Sequence, residues 1–156
     1  LIKKNTILYN TIFFFLPLYL VFVIYIFLLH SVRLHSPYYG VNLIPFDTIS
    51  TFLMNYDHYN SDILVKNLLG NIIIYIPMGI FMPLLFTTMN SMKKVVVFTV
   101  IFSLVINILQ VTTKIGVFDI DDIMLNVVGG VIGYVLFRGW FSLIAILFHS
   151  SSEDIQ

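Results

Sequence analysis

The sequence predicts an all-α fold, a polytopic membrane helical bundle of about four transmembrane helices with a short interfacial amphipathic helix. Three observations predict it. The 156 residues are 59% hydrophobic and only 10% charged, with a mean hydropathy of +0.98, whereas a soluble domain carries about 25% charged residues. Four long apolar runs alternate with short polar segments. Most of the charges lie between the runs or at their ends, and so few charged residues cannot cover a water-facing surface. The length suits a single domain over residues 1–156. With no cysteine, disulfides, thiolate metal sites, a cysteine nucleophile and a lipoprotein anchor are excluded. A formal net charge of +0 and the lack of a basic patch argue against nucleic acid as a partner.

The first apolar run extends from about Ile7 to Leu29, behind Lys3 and Lys4. It is longer than a signal-peptide core of roughly 7–15 residues and has no small-residue cleavage site, so it is expected to remain as helix one, with Pro17 a candidate kink. Residues 30–62 are more polar. Within them Ile49, Phe52, Leu53 and Tyr56 fall at i, i+3, i+4 and i+7 behind Asp47, which predicts a short amphipathic helix in the interface. Tyr38, Tyr39, Tyr56 and Tyr59 fit an aromatic belt.

The second run, about Ile63 to Thr87, opens with Asn67, Gly70 and Asn71 on one face and is interrupted by Pro77, Gly79 and Pro83. Freed carbonyls at these prolines need other partners, so this helix is expected to be kinked or re-entrant. A basic loop with Lys93 and Lys94 leads to helix three, about Val95 to Val111, which carries a polar stripe of Ser103, Asn107 and Gln110. Helix four opens on Asp119, Asp121 and Asp122 and runs to near Phe148. In it Asp122, Asn126 and Gly129 or Gly130 share a face, and Gly129 and Gly133 would admit a neighbouring helix closely. Asp121 is also placed to cap a helix N-terminus. Gly70, Gly79, Gly129, Gly130 and Gly133 are the candidate packing residues.

Four spans put both termini on one side. Lys3, Lys4, Lys93, Lys94 and Arg138 fall there, with Arg33 and Lys114 as exceptions, and the positive-inside rule makes that side cytoplasmic. Asn42, Asn67, Asn71, Asn107, Gln110, Asp119, Asp121, Asp122 and Asn126 then gather towards the extracytoplasmic end. Single asparagines in a membrane bundle usually bond helix to helix. Convergence of this many beneath three carboxylates points instead to a polar ligand site. One internal echo, Asn67 to Tyr75 against Asn126 to Tyr134, suggests parallel repeats.

These residues resemble the VanZ-like family of bacterial membrane proteins over about 42–134. The resemblance rests on the NLIPF run at Asn42–Phe46, on Asn67 to Asn71 with Ile76 to Gly79, on FDIDDIMLNVVGGVIGY from Phe118 to Tyr134, and on Gln110. There are two departures. Asn107 stands where the family usually has glutamate, and Gly116 stands where it usually has arginine. Those groups are of opposite charge, which suggests a pair lost together. The resemblance implies a cell-envelope protein associated with low-level resistance to the glycopeptide teicoplanin.

Three functional readings follow. The first is a non-enzymatic envelope protein whose outer polar cluster meets a membrane lipid or a lipid-linked cell-wall precursor. The second is a membrane enzyme on a lipid-linked or phosphate-bearing substrate, with Asp119, Asp121 and Asp122 as candidate Mg²⁺ ligands. No catalytic residue is assigned, since His30, His35, His58 and His149 read as solvated interfacial side chains. The third is an assembly or interaction partner, in which Gly129, Gly130 and Gly133 form a homo-oligomer face.

Overall fold

The computed structural model describes residues 6–29, 40–54 and 68–153. Five α-helices and two very short strands occur among them: α1 (Thr6–Ile24), β1 (Gly40–Asn42), α2 (Asp47–Met54), α3 (Gly70–Leu85), α4 (Met92–Thr112), β2 (Val117–Asp119) and α5 (Ile120–Glu153). Asn67 and the tyrosines at 38, 39, 56 and 59 lie outside the described residues, as do His30, His35, His58, Lys3 and Lys4.

The helices follow the apolar runs, with differences at their ends. α1 continues through Pro17 without a break, and its irregularity comes later, as a π-helical turn over Tyr25–Leu29. α3 also runs unbroken through Pro77 and Pro83, over only 16 residues. At the usual rise this is about 24 Å, short of the roughly 30 Å of a hydrocarbon core. α5 is longer than expected, with 34 residues to Glu153. Among the described residues two helices are long and apolar enough to cross a membrane, Met92–Thr112 and, within α5, Ile120–Trp140.

α3 lies at the centre. Its Tyr75, Met78, Met82 and Leu85 pack with Leu16, Val23 and Phe27 of the first helix and Ile106 of α4. Tyr19 donates a hydrogen bond to the Ile74 carbonyl at 2.7 Å. The other face of α3 meets α5 along glycines. A Cβ on Gly129 would overlap the Ile72 carbonyl, and one on Gly133 the Ile76 carbonyl; one on Gly79 would meet Gly130 and lie 2.8 Å from the Tyr134 nitrogen. Gly130 faces α4 instead, where a Cβ would sit 2.7 Å from Thr99 Oγ1. Gly129, Gly130 and Gly133 are thus packed against α3 and α4 inside the bundle, whereas Gly139 has nothing within 4 Å of an added Cβ among the described residues. Gly70 corrects the packing expectation. Among the described residues nothing lies within 4 Å of a Cβ there, although its neighbour Asn71 is buried and bonded to Asp122. Gly70 and Gly129 therefore differ, although the repeat echo pairs them.

The turn from α4 into β2 uses an unexpected residue. Lys114 has φ 58, and Ile115 and Lys114 donate to the carbonyls of Gln110 and Val111 at 3.0 and 3.2 Å. This is the paired bonding of a helix C-terminus that usually places glycine in the left-handed position. Lys114→Gly should raise stability by about 0.5–1 kcal/mol, read as a higher melting temperature in detergent.

The two strands were not foreseen. They pair in parallel, with Gly40, Val41 and Asn42 opposite Val117, Phe118 and Asp119. This pairing fixes the Asn42 segment against the start of α5.

Candidate functional site

The acidic start of α5 is a junction of four elements. Asp119 caps its own helix, since its Oδ1 accepts the Asp121 N–H at 2.9 Å. Its Oδ2 accepts from Thr48 Oγ1 at 2.6 Å. Asp121, fully buried, caps a different helix. Its Oδ1 accepts the Phe46 N–H at 2.6 Å and its Oδ2 the Ile49 N–H at 3.1 Å. These are orphan donors at the N-terminus of α2, turned towards Asp121 by the left-handed backbone of Phe46, φ 65. The capping role open to Asp121 from sequence is therefore real, but the helix it serves is α2. Asp122 takes a third direction and accepts a short hydrogen bond from Asn71 Nδ2.

The asparagines extend this network. Asn42 donates to Thr48 Oγ1 at 3.0 Å and Asp47 Oδ2 at 3.3 Å, and its own Oδ1 accepts the Ile44 N–H at 3.1 Å. Asn107 accepts the Asp119 N–H at 3.1 Å and donates to the Ser103 carbonyl at 3.0 Å. One turn deeper, Asn126 donates to Ser103 Oγ at 2.7 Å. Gln110 reaches the Phe27 carbonyl at 2.8 Å, tying α4 to the end of the first helix.

Of the nine sequence-predicted site residues, Asn67 lies outside the described residues. Asn42, Asn107, Asp119, Asp121 and Asn126 stand in one network with Thr48 and Ser103, and Asn71 and Asp122 form a bonded pair beside it. Gln110 lies beside it, on the same helix face as Asn107. Thr48 is a member of the polar network that the sequence gives no reason to single out, because a threonine in a helix start reads as local capping. Tyr75 is unmarked too: it reads as an interfacial aromatic, yet its buried hydroxyl lies towards Ser103 and Asp122.

Among the described residues three buried oxygens lack a hydrogen bond of ordinary geometry: Tyr75 Oη, which lies towards Ser103, Gln110 Oε1 and Asn126 Oδ1. A buried polar atom without a partner is costly, and two of these are pure acceptors. The metal expectation meets a different geometry. All four oxygens of Asp119 and Asp121 already take N–H or O–H donors, and no group of three or more His, Cys, Asp or Glu residues suited to a metal occurs among the described residues. Gly116, where the resembled family has arginine, is buried with its absent side chain directed at Gln110, whose Cβ would be 3.3 Å from an added Cβ.

The description of the matching family model is VanZ/LLP1, over residues 12–147, a longer span than the sequence motifs cover. Over 98 residues the chain is 30% identical to Protein VanZ of Enterococcus faecium, a match covering 63% of this chain and 52% of that protein. The chain thus spans about half the length of that curated relative. No solved structure matches it significantly. The family match encloses α2 to β2, the acidic start of α5 and its glycines, and on that extent the chain belongs to the VanZ/LLP1 family.

Proposed function

We propose that this chain is a four-span protein of the bacterial cell membrane that lowers susceptibility to teicoplanin-type glycopeptides. Its acidic junction would engage a membrane lipid or a lipid-linked cell-wall precursor at the outer face. One observation carries the reading: polar residues from separate elements gather at a single end of the bundle, and among the described residues the Gln110 and Asn126 side-chain oxygens there are buried with no hydrogen-bond partner. The distribution of apolar residues supports the membrane. Phe13, Phe14, Phe22, Ile101, Val105 and Val135 are exposed, while Ser103, Asn107, Gln110 and Asn126 are buried. Helices in lipid have this inside-out pattern, since polar groups seek each other away from the chains.

The charges support an orientation. Lys93 and Lys94 begin α4, and Tyr134 of α5 bonds to the Asn90 carbonyl at the same end, so Arg138 follows there. Asp47, Asp119, Asp121 and Asp122 occupy the opposite end. With Lys66 counted beside Arg33 and Lys114, basic residues divide five to three in favour of a cytoplasmic side for both termini. A cysteine at Thr113 should react with an impermeant thiol reagent in whole cells, and one at Ser91 should not. The reverse pattern would put the acidic junction in the cytoplasm.

The functional test is expression in a susceptible Gram-positive host. Tolerance to teicoplanin, which carries a fatty acyl tail, should rise more than tolerance to vancomycin, which does not. Asp122→Asn and Asn126→Leu should each reduce the effect at matched protein levels and unchanged membrane insertion. Equal shifts for both drugs, or no shift, would defeat the proposal. No shift from this chain, but a clear one after Asn107→Glu with Gly116→Arg, would mean that the two missing charged groups are required.

A further inference from the structure

A second feature stands at the end of the bundle opposite the acidic junction. A groove of about 580 Å³ lies along the start of α4, walled by Met89, Val97, Phe98 and Ile101, with Lys93 and Lys94 among its lining. The two lysines have different tasks. Lys94 Nζ donates to the Thr88 carbonyl at 2.8 Å and to Asn90 Oδ1 at 3.1 Å, which fixes the loop forming one side. Lys93 is exposed and makes no hydrogen bond or ion pair among the described residues. No acidic residue lines the groove or stands in the first turn of α4.

Lys93, Val97 and Ile101 fall at i, i+4 and i+8, one line along the helix. Over these eight residues the line descends about 12 Å. Val97 is 49% and Ile101 57% exposed, and Val105 and Ile108 prolong the apolar surface. Among the described residues, a cation with no acidic neighbour thus stands above a continuous apolar track. We propose that this groove binds an anionic phospholipid, with the phosphate at Lys93 and one acyl chain along Val97 and Ile101. A soluble anion would leave the track uncovered. A zwitterionic lipid brings its own ammonium, which competes with Lys93 for the phosphate. The inference rests on reading α4 as a membrane span, and it is independent of any ligand at the acidic junction.

The test uses the full chain purified in detergent, with bound lipid counted by native mass spectrometry and melting followed in parallel. Phosphatidylglycerol should be retained and raise the melting temperature more than phosphatidylcholine with the same acyl chains. Lys93→Gln should weaken phosphatidylglycerol binding about fivefold, the value of one juxtamembrane cation, and Lys93→Arg should restore it. Ile101→Asn should lower retention with the cation intact. Equal retention of both lipids, unchanged binding by Lys93→Gln, or stabilisation by soluble sn-glycerol 3-phosphate equal to that by the lipid would each overturn the proposal. Teicoplanin tolerance is not a readout here, so failure at this groove leaves the acidic junction untouched.

Discussion

Gly133→Ala is expected to leave little folded protein. One methyl group is enough, because a Cβ at this position would overlap the Ile76 carbonyl oxygen and lie 2.9 Å from the Gly79 Cα. Both obstacles are backbone, so no rotamer change relieves them; α3 and α5 must separate. In lipid, helix association rests on close packing and not on burial from water. Separation therefore forfeits the main attraction between the two helices. Overpacking of this kind costs about 3 kcal/mol or more, a large share of the roughly 5–15 kcal/mol that holds a typical domain. Gly70→Ala is the internal comparison and should melt with the wild type or slightly above it, since among the described residues nothing lies within 4 Å of an added Cβ there. Yield of monodisperse protein and melting in detergent give the readout. A Gly133→Ala protein as stable as the wild type would mean that the helices do not touch at this point.

Asp121→Ala should release α2 while leaving α5 in place. None of the residues of α2 is buried, so polar anchors hold it: Asp121 at two N–H groups, and Asp119 at Thr48. Removing the carboxylate deprives both amides of an acceptor and the helix start of a favourable negative charge. The expected cost is about 2 kcal/mol locally, or about a thirtyfold rise in amide exchange over residues 47–54. Amides at the start of α5 should hold, because Asp119 caps that helix. Asp121→Asn should fall between, since it keeps one acceptor oxygen. Unchanged exchange across α2 would mean that other contacts retain the helix.

The helices were legible because composition dominates them. Runs of Ile, Val, Leu and Phe bounded by Lys, Asp and Ser leave few other structures open, and the short amphipathic helix announced itself through Asp47 and the spacing of Ile49, Phe52 and Leu53. The gathering of Asn42, Asn71, Asn107 and the aspartates was legible for a related reason: polar residues at matching depths in apolar runs have few other ways to be satisfied. The wiring was not legible. Three-residue strands such as Gly40–Asn42 carry no alternation to read. Asp119 and Asp121 are the same residue type two positions apart, and only tertiary structure decides that one caps α5 and the other α2. Lys114 takes the left-handed position although Gly116 is two residues away, because the chain must turn at once to bring Val117 beside Gly40. Gly70 looked equivalent to Gly129 because sequence spacing does not reveal which positions of a helix meet a neighbouring backbone.

The cap that Asp121 places on α2 also dictates an order of events during synthesis. The Phe46 amide and the Asp121 carboxylate are 75 residues apart in the chain, and Thr48 and Asp119 are 71 apart. At about 5–20 residues per second, the ribosome needs about 4–15 s to travel from one to the other. Throughout that interval α2 has left the exit tunnel with its first amides unsatisfied, and β1 has no strand to pair with. The junction is therefore the last part of this region to form, closing only when α3 and α4 have been delivered and the start of α5 arrives between them.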